Sequence, residues 1–127
     1  MEFNELYQRA KNVLNPKKLS EYAESGGVGA AILTNAGNVY EGVCIDTSSS
    51  MGFCAEHAAA AAMITAGENI ISKVVAVNWD GQVLPPCGRC REFLSQLADE
   101  NINAEVMVKE NTIVSLKDLL PYDWRAV

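Results

Sequence analysis

Three cysteines and one glutamate in this chain have the types and spacing that metal chemistry needs. They fall in two short segments, Cys54-Ala55-Glu56 and Pro86-Cys87-Gly88-Arg89-Cys90. Thiolates at Cys54, Cys87 and Cys90 can close on one zinc ion, which leaves a fourth tetrahedral position for water. Glu56 stands two positions after Cys54, in the first turn of the helix expected to start there. Its carboxylate can therefore face that water without ligating the metal. Alone, an acid in a first helical turn reads as a complement to the helix dipole; beside three metal-spaced cysteines, the proton-handling reading prevails.

Other readings of the cysteines stand beside this one. Cys44 could close a four-cysteine structural zinc site, Cys87 and Cys90 could form a redox pair, or all four could be buried thiols. Cys44 lies on an expected strand between Val43 and Ile45, where burial accounts for it without metal. A zinc ion with three thiolates carries net negative charge, so the site needs compensation. Two helix N-termini supply N–H groups and positive dipole ends. Arg89, between two of the ligands, either lends those sulfurs a cation or is a solvated surface arginine.

The elements must bring the two segments together. Phe3, Leu6, Tyr7, Ala10 and Leu14 recur at helical spacing over residues 2–14. Val28 to Thr34 and Val39 to Ile45 read as a hairpin around Asn35-Ala36-Gly37-Asn38, followed by a loop to Phe53. An alanine-rich helix runs from Cys54 to Ala66, apolar on all sides and so expected to be buried over most of its surface. Lys73 to Trp79 reads as a central strand, Cys87 to about Asp99 as a helix, and Ala104 to Val108 as a strand. A short extended Thr112-Ile113-Val114 and a small helix from Leu116 to Leu120 follow. This order implies one mixed sheet with helices on both sides, and two motif helices starting at the same end on one face.

Composition narrows the function. The 127 residues suit one domain, 1–127, with 49% hydrophobic and 20% charged residues. Sixteen acidic against ten basic residues give a net charge of −6, and a pI near 4.7. Such a surface repels phosphates, which argues against long nucleic acid and for a neutral small molecule. Met1 to Glu5 has no apolar signal region behind it, and no apolar run approaches the roughly 20 residues of a membrane span. The expectation is a cytoplasmic protein with reduced thiols and no membrane partner.

At these residues the chain resembles the cytidine deaminase family, in particular its small zinc-dependent members. The pattern Cys-x-Glu … Pro-Cys-x-x-Cys is the zinc-deaminase signature with cysteine for the usual first histidine. The likeness runs from about Val28 to Leu120, including Val28-Gly29-Ala30-Ala31 and Leu119-Leu120-Pro121. It implies a three-layer α/β/α sandwich around a five-stranded mixed sheet, and a homotetramer or homodimer. It also implies one Zn2+ on Cys54, Cys87 and Cys90, Glu56 as proton shuttle, and hydrolytic deamination of a cytosine nucleoside, cytidine or deoxycytidine.

The substrate-reading positions depart from the family pattern. Cys44 and Asp46 fall where an Asn and a Glu usually hold the ribose hydroxyls, with Asp46 the first choice for the sugar. Gly26 and Gly27 stand where a base-stacking phenylalanine is expected. His57 replaces an arginine, to serve the sulfurs with one N–H or to be a polar core residue. Backbone near Ala55 and Pro86 is expected to line the base pocket. The chain is also similar to the blasticidin S deaminase branch, through Cys-Ala-Glu, Pro-Cys-Gly-Arg-Cys-Arg and a tail with Tyr122 and Trp124. Trp124 could lie over the pocket, enter a neighbour's, or cap the core or an interface. Deamination of blasticidin S or another modified aminopyrimidine is thus the alternative reaction; a non-catalytic structural zinc module is the alternative of another class.

Overall fold

The small and branched residues that end at Thr34 form the axis of the sheet. In the computed structural model, which describes residues 1–126 and leaves Val127 outside, strand β2 (Ala23–Thr34) follows helix α1 (Phe3–Asn12) and a short strand β1 (Lys17–Ser20). β2 pairs antiparallel with β3 (Val39–Thr47) on one edge and with β4 (Ile71–Asn78) on the other. β4 pairs parallel with β6 (Glu105–Lys109), which pairs antiparallel with β7 (Thr112–Ser115). These five are the expected mixed sheet. β1 beside the start of β2 and the two-residue β5 (Val83–Leu84) beside the end of β4 bring the count to seven.

Both faces of the central strands are covered. Ala30, Ile32, Val74 and Ala76 face one core with Ala55, Ala59, Ala60 and Met63 of α2 (Ala55–Thr65) and Leu94 of α3 (Gly88–Gln96). Ala31, Leu33, Val75 and Val77 face the other, closed by Phe3, Leu6 and Ala10 of α1. That alternation explains why the strands read as continuous apolar runs. Burying a side chain such as Leu6 or Met63 completely contributes about 2 kcal/mol. The expected three layers are therefore present, with α2 and α3 on one face and α1 on the other.

Close approach fixes α2. Gly42 on β3 has no Cβ; one built there would lie 2.4 Å from the backbone nitrogen of Ala59. The alanine face of the helix can thus rest directly on the strand. Asn101 fixes α3 and β4: its side chain, fully buried, accepts from Ile71 N at 2.8 Å and donates to Leu94 O and Asn69 O at 3.0 Å. It lies in a 3-10 turn, Asp99–Asn103, which is why α3 stops at Gln96 and not at Asp99.

Two parallel crossovers, β3–α2–β4 and β4–α3–β6, pass over the α2/α3 face. Each helix therefore begins near the carboxyl end of the strand before it, where ligands of such sheets gather. Cys54 is the N-cap of α2 and Cys87 the N-cap of α3, both in extended backbone conformation.

Candidate metal and substrate site

The helix starts bring the two half-motifs into contact. Cys54 Sγ lies 3.6 Å from Cys87 Sγ, and Cys87 Sγ lies 3.5 Å from Cys90 Sγ. A tetrahedral zinc with sulfurs at about 2.3 Å holds them about 3.8 Å apart, so the three thiols fit the ion. His57 is also near: its Nδ1 lies 3.4 Å from Cys90 Sγ, and the donor atoms of Cys54, His57 and Cys90 lie within 4.8 Å of one another. The imidazole stacks on Phe93 with centroids 4.1 Å apart and planes at 14°.

The donors differ in environment. Cys90 is fully buried, Cys54 half-buried and Cys87 exposed. Burial, then the charge of Glu56, pushes the Cys90 thiol far up, and burial also raises Cys54. Burial opposes ionisation of Cys87 too, but the backbone N–H of Cys90 and the neighbouring thiols outweigh it and hold this thiol below its usual range. Burial first, then the Arg89 cation, lowers His57, which favours neutral imidazole.

Glu56 is 5% exposed, and burial raises its carboxyl above the usual range. It shares a cavity of about 360 Å³ with Cys54 and Cys87. A backbone bridge between Phe53 and Ile45, with N–O distances of 2.9 and 3.0 Å, ties the residue before Cys54 to β3. Cys44 and Asp46, two apart on β3, line the same cavity, as does Ala55. A larger cleft of about 490 Å³ lies beside Tyr7, Gly81 and Lys109 and holds none of these residues.

The remaining expected site residues sort unevenly. Cys44 is buried, and its sulfur accepts from Val28 N at 3.3 Å and lies 3.9 Å from Asp46 Oδ2. Arg89 reaches the cavity, but its Nη1 donates to Gly52 O at 3.4 Å. Leu84 and Pro85 form the wall where Pro86 was expected; Pro86 is buried and its carbonyl accepts from Arg91 Nε at 2.7 Å. Trp124 is not on the wall of its own cavity. It is 64% exposed and donates from Nε1 to Glu92 Oε1 on α3 at 3.2 Å. Gly26 has φ +83°, and a Cβ there would sit 2.0 Å from Asn15 O, so that position can carry no stacking ring. The aromatic residue of the wall is Phe53, directly before Cys54, a position with no motif of its own.

Residues 4–106 match the profile of the cytidine and deoxycytidylate deaminase zinc-binding region. The chain belongs to this deaminase family. A cytidine deaminase of Mycobacterium tuberculosis strain H37Rv is 34% identical over 95 residues, covering 74% of this chain and 69% of the relative. The cytidine deaminase of Halalkalibacterium halodurans is 29% identical over 97 residues, 74% of either chain. Among solved structures, M. tuberculosis cytidine deaminase superimposes with a TM-score of 0.81 at 28% identity over 98% of each chain. That of Burkholderia pseudomallei gives 0.78 at 27% identity, covering 96% of this chain and 98% of the other. This deaminase is accordingly a zinc-dependent aminohydrolase with one Zn2+ per chain. The structural zinc module and the redox pair fall away as accounts of the whole chain. No helix among the described residues is long and apolar enough to cross a membrane.

Proposed function

We propose that this deaminase converts a free cytosine nucleoside, cytidine or deoxycytidine, to the uracil nucleoside and ammonia. The observation that carries the reading is a cluster of three thiols, two of which, Cys54 and Cys87, line a single cavity together with one buried carboxylate. Its volume lies within the range of small-molecule sites.

Cys54, Cys87 and Cys90 hold the zinc in this reading. Cys54 and Cys87 line the cavity beside Glu56, whereas His57 does not, so this donor set leaves the fourth position open toward substrate. His57 stays behind Cys90, where a neutral ring can donate one N–H to the sulfur and draw off part of its charge. The helix N-termini at Cys54 and Cys87 do the same by their dipoles. Arg89 lines the same cavity as Cys54 and Cys87 and donates to Gly52 O.

Zinc, when bound, supplies an acidified water as the nucleophile. Glu56 takes the proton of that water and delivers it to the ring nitrogen beside the amino-bearing carbon. The new C–O bond forms at that carbon; Glu56, unprotonated again, takes the proton of the new hydroxyl and passes it to the amino group as the carbonyl forms, the C–N bond breaks and ammonia leaves. A carboxyl raised by burial suits a group that must both accept and donate within one cycle. Phe53 is available to stack on the ring, Ala55 offers backbone, and Asp46 is available to accept from a sugar hydroxyl.

One observation favours a second reading, deamination of blasticidin S or another modified aminopyrimidine. The Cys44 sulfur is already engaged by Val28 N–H, and a thiol is a weak donor to a ribose oxygen. The further assignments are a single unit over residues 1–127, a cytoplasmic location, and a homotetramer or homodimer with exposed Trp124 at a subunit contact.

Ultraviolet-monitored turnover of cytidine, deoxycytidine, 5-methylcytidine and blasticidin S tests the reading. Glu56→Gln, Cys87→Ala and His57→Gln run beside wild type with zinc measured on each. Turnover of one substrate, lost in a zinc-retaining Glu56→Gln, supports it. A Glu56→Gln variant as active as wild type refutes the proton role, and zinc lost from His57→Gln but not from Cys87→Ala refutes the ligand set.

A further inference from the structure

His57 supplies a fourth metal-binding atom beside the three thiols. The donor atoms of Cys54, His57 and Cys90 lie within 4.8 Å of one another, and Cys87 stands outside this trio. Zinc–nitrogen bonds of about 2.0–2.1 Å and zinc–sulfur bonds of about 2.3 Å put nitrogen and sulfur about 3.6 Å apart in a tetrahedral set. Nδ1 of His57 lies 3.4 Å from Cys90 Sγ, as close a match as the sulfurs make to one another. The cluster therefore holds two overlapping donor sets, which share Cys54 and Cys90 and differ in having Cys87 or His57.

The two sets are built differently. Cys87 is the exposed donor of the four, at the start of α3, and so the one that solvent and electrophiles reach first. His57 is half-buried in the first turn of α2, and its ring stacks on Phe93, which follows Cys90 by almost one turn of α3. One helix thus provides Cys54 and His57, and the other provides Cys90 and the aromatic surface that orients the imidazole. A ring already held in one plane gives up little freedom when it takes a metal. A neutral imidazole has two tautomers: with hydrogen on Nδ1 it donates to the Cys90 sulfur, and with hydrogen on Nε2 it offers the Nδ1 lone pair to an ion.

Resting on the assignment of Cys54, Cys87 and Cys90 as the working ligands, we infer that His57 is a stand-in zinc ligand, which holds the ion with Cys54 and Cys90 when Cys87 is withdrawn. In the exchange Nδ1 gives its proton to solvent, Nε2 takes one from solvent, and the ring stays neutral. Only metal–ligand bonds form and break otherwise. Cys87 lines the catalytic cavity beside Glu56 and His57 does not. The second set therefore serves retention and not turnover: the ion stays with the protein until the Cys87 thiol is available again.

The test loads the full chain with a spin-active cadmium isotope and labels the imidazole nitrogens of His57, the single histidine of the chain. Wild type, Cys87→Ala and Cys87→Ser are compared by nuclear magnetic resonance, and zinc affinity is measured on each by chelator competition, with and without His57→Gln. The expected result is a metal–nitrogen scalar coupling at Nδ1 in both Cys87 variants and none in wild type. His57→Gln then costs at least about tenfold more zinc affinity beside Cys87→Ala than in wild type, where it removes only a hydrogen bond to a ligand. No coupling in the Cys87 variants, or an equal cost of His57→Gln in both backgrounds, overturns the stand-in alone and leaves His57 as a partner of the Cys90 sulfur. Coupling already present in wild type makes His57 a resident ligand and overturns the assignment of Cys54, Cys87 and Cys90 as well. Failure of both Cys87 variants to fold or to hold metal also overturns the stand-in, since no second set then keeps the ion.

Discussion

Replacing Gly42 by alanine tests how tightly the strand sets the metal site. A Cβ at this position would meet Ala59 N at 2.4 Å, Ala58 Cβ at 2.6 Å and Ala58 C at 2.7 Å. Two of these are helix backbone, which cannot rotate away. Ordinary contacts lie near 3.5 Å, so α2 must retreat by about 1 Å. Overpacking of this kind costs about 1–3 kcal/mol, partly offset by about 0.4–1 kcal/mol from reduced freedom of the unfolded chain. A net loss of about 1–2 kcal/mol lowers Tm by about 4–8 °C for a domain of this size.

The same retreat carries Cys54, the N-cap of α2, away from Cys87 on α3. Metal sites tolerate only about 0.2 Å in ligand distance, so zinc affinity falls at least about tenfold. Thermal unfolding and competition with a coloured chelator read the two effects. Gly88→Ala is the control: a Cβ there meets nothing within 4 Å, and both quantities stay near wild type. Wild-type Tm and zinc affinity in Gly42→Ala would refute the reasoning.

Asn101→Ala removes three hydrogen bonds, two of them buried, and leaves Ile71 N–H and two carbonyls without partners; denaturant unfolding then loses about 3–5 kcal/mol. Cys44→Ser keeps one zinc per chain by metal analysis, since the Cys44 sulfur bonds Val28 N–H and is not among the metal donors. Glu68 is held below the usual carboxylate range by the Tyr40 hydroxyl, with Thr34 and Asn38 assisting. A depressed native value means the stabilisation is present above the unfolded value of about 4.3 and is lost as pH falls through the native one. The Tm gap between wild type and Tyr40→Phe is therefore widest near neutrality and closes on acidification below about pH 4.

The parts of the fold that announce themselves in sequence are those whose burial is uniform. β2 and β4 are apolar on both faces, and α2 is bounded by Cys54 and Gly67, so each is readable within a few residues. β1 is not, because Lys17-Lys18-Leu19-Ser20 is exposed throughout and only pairing with β2 makes it a strand. The start of β2 is hidden by Gly26 and Gly27, which sit in a register shift against β3. At the site, cysteine and glutamate spacing located the chemistry, since N-capping geometry follows from local sequence. The cavity wall did not: Phe53 is there through its bridge to Ile45, and Pro85 lines it while Pro86 is buried with its carbonyl held by Arg91.

The split of the motif along the chain has a consequence for the life of the protein in heat. Cys54 and Cys87 stand 33 positions apart, whereas Cys87 and Cys90 are separated by 3. An ion bridging the distant pair closes a loop that contains all of β4. By loop-closure entropy, such a cross-link disfavours the unfolded chain by about 3.7 kcal/mol. The near pair survives unfolding as a weak two-thiol chelate, which reduces the gain. Resistance to heating therefore tracks the free zinc level around the protein.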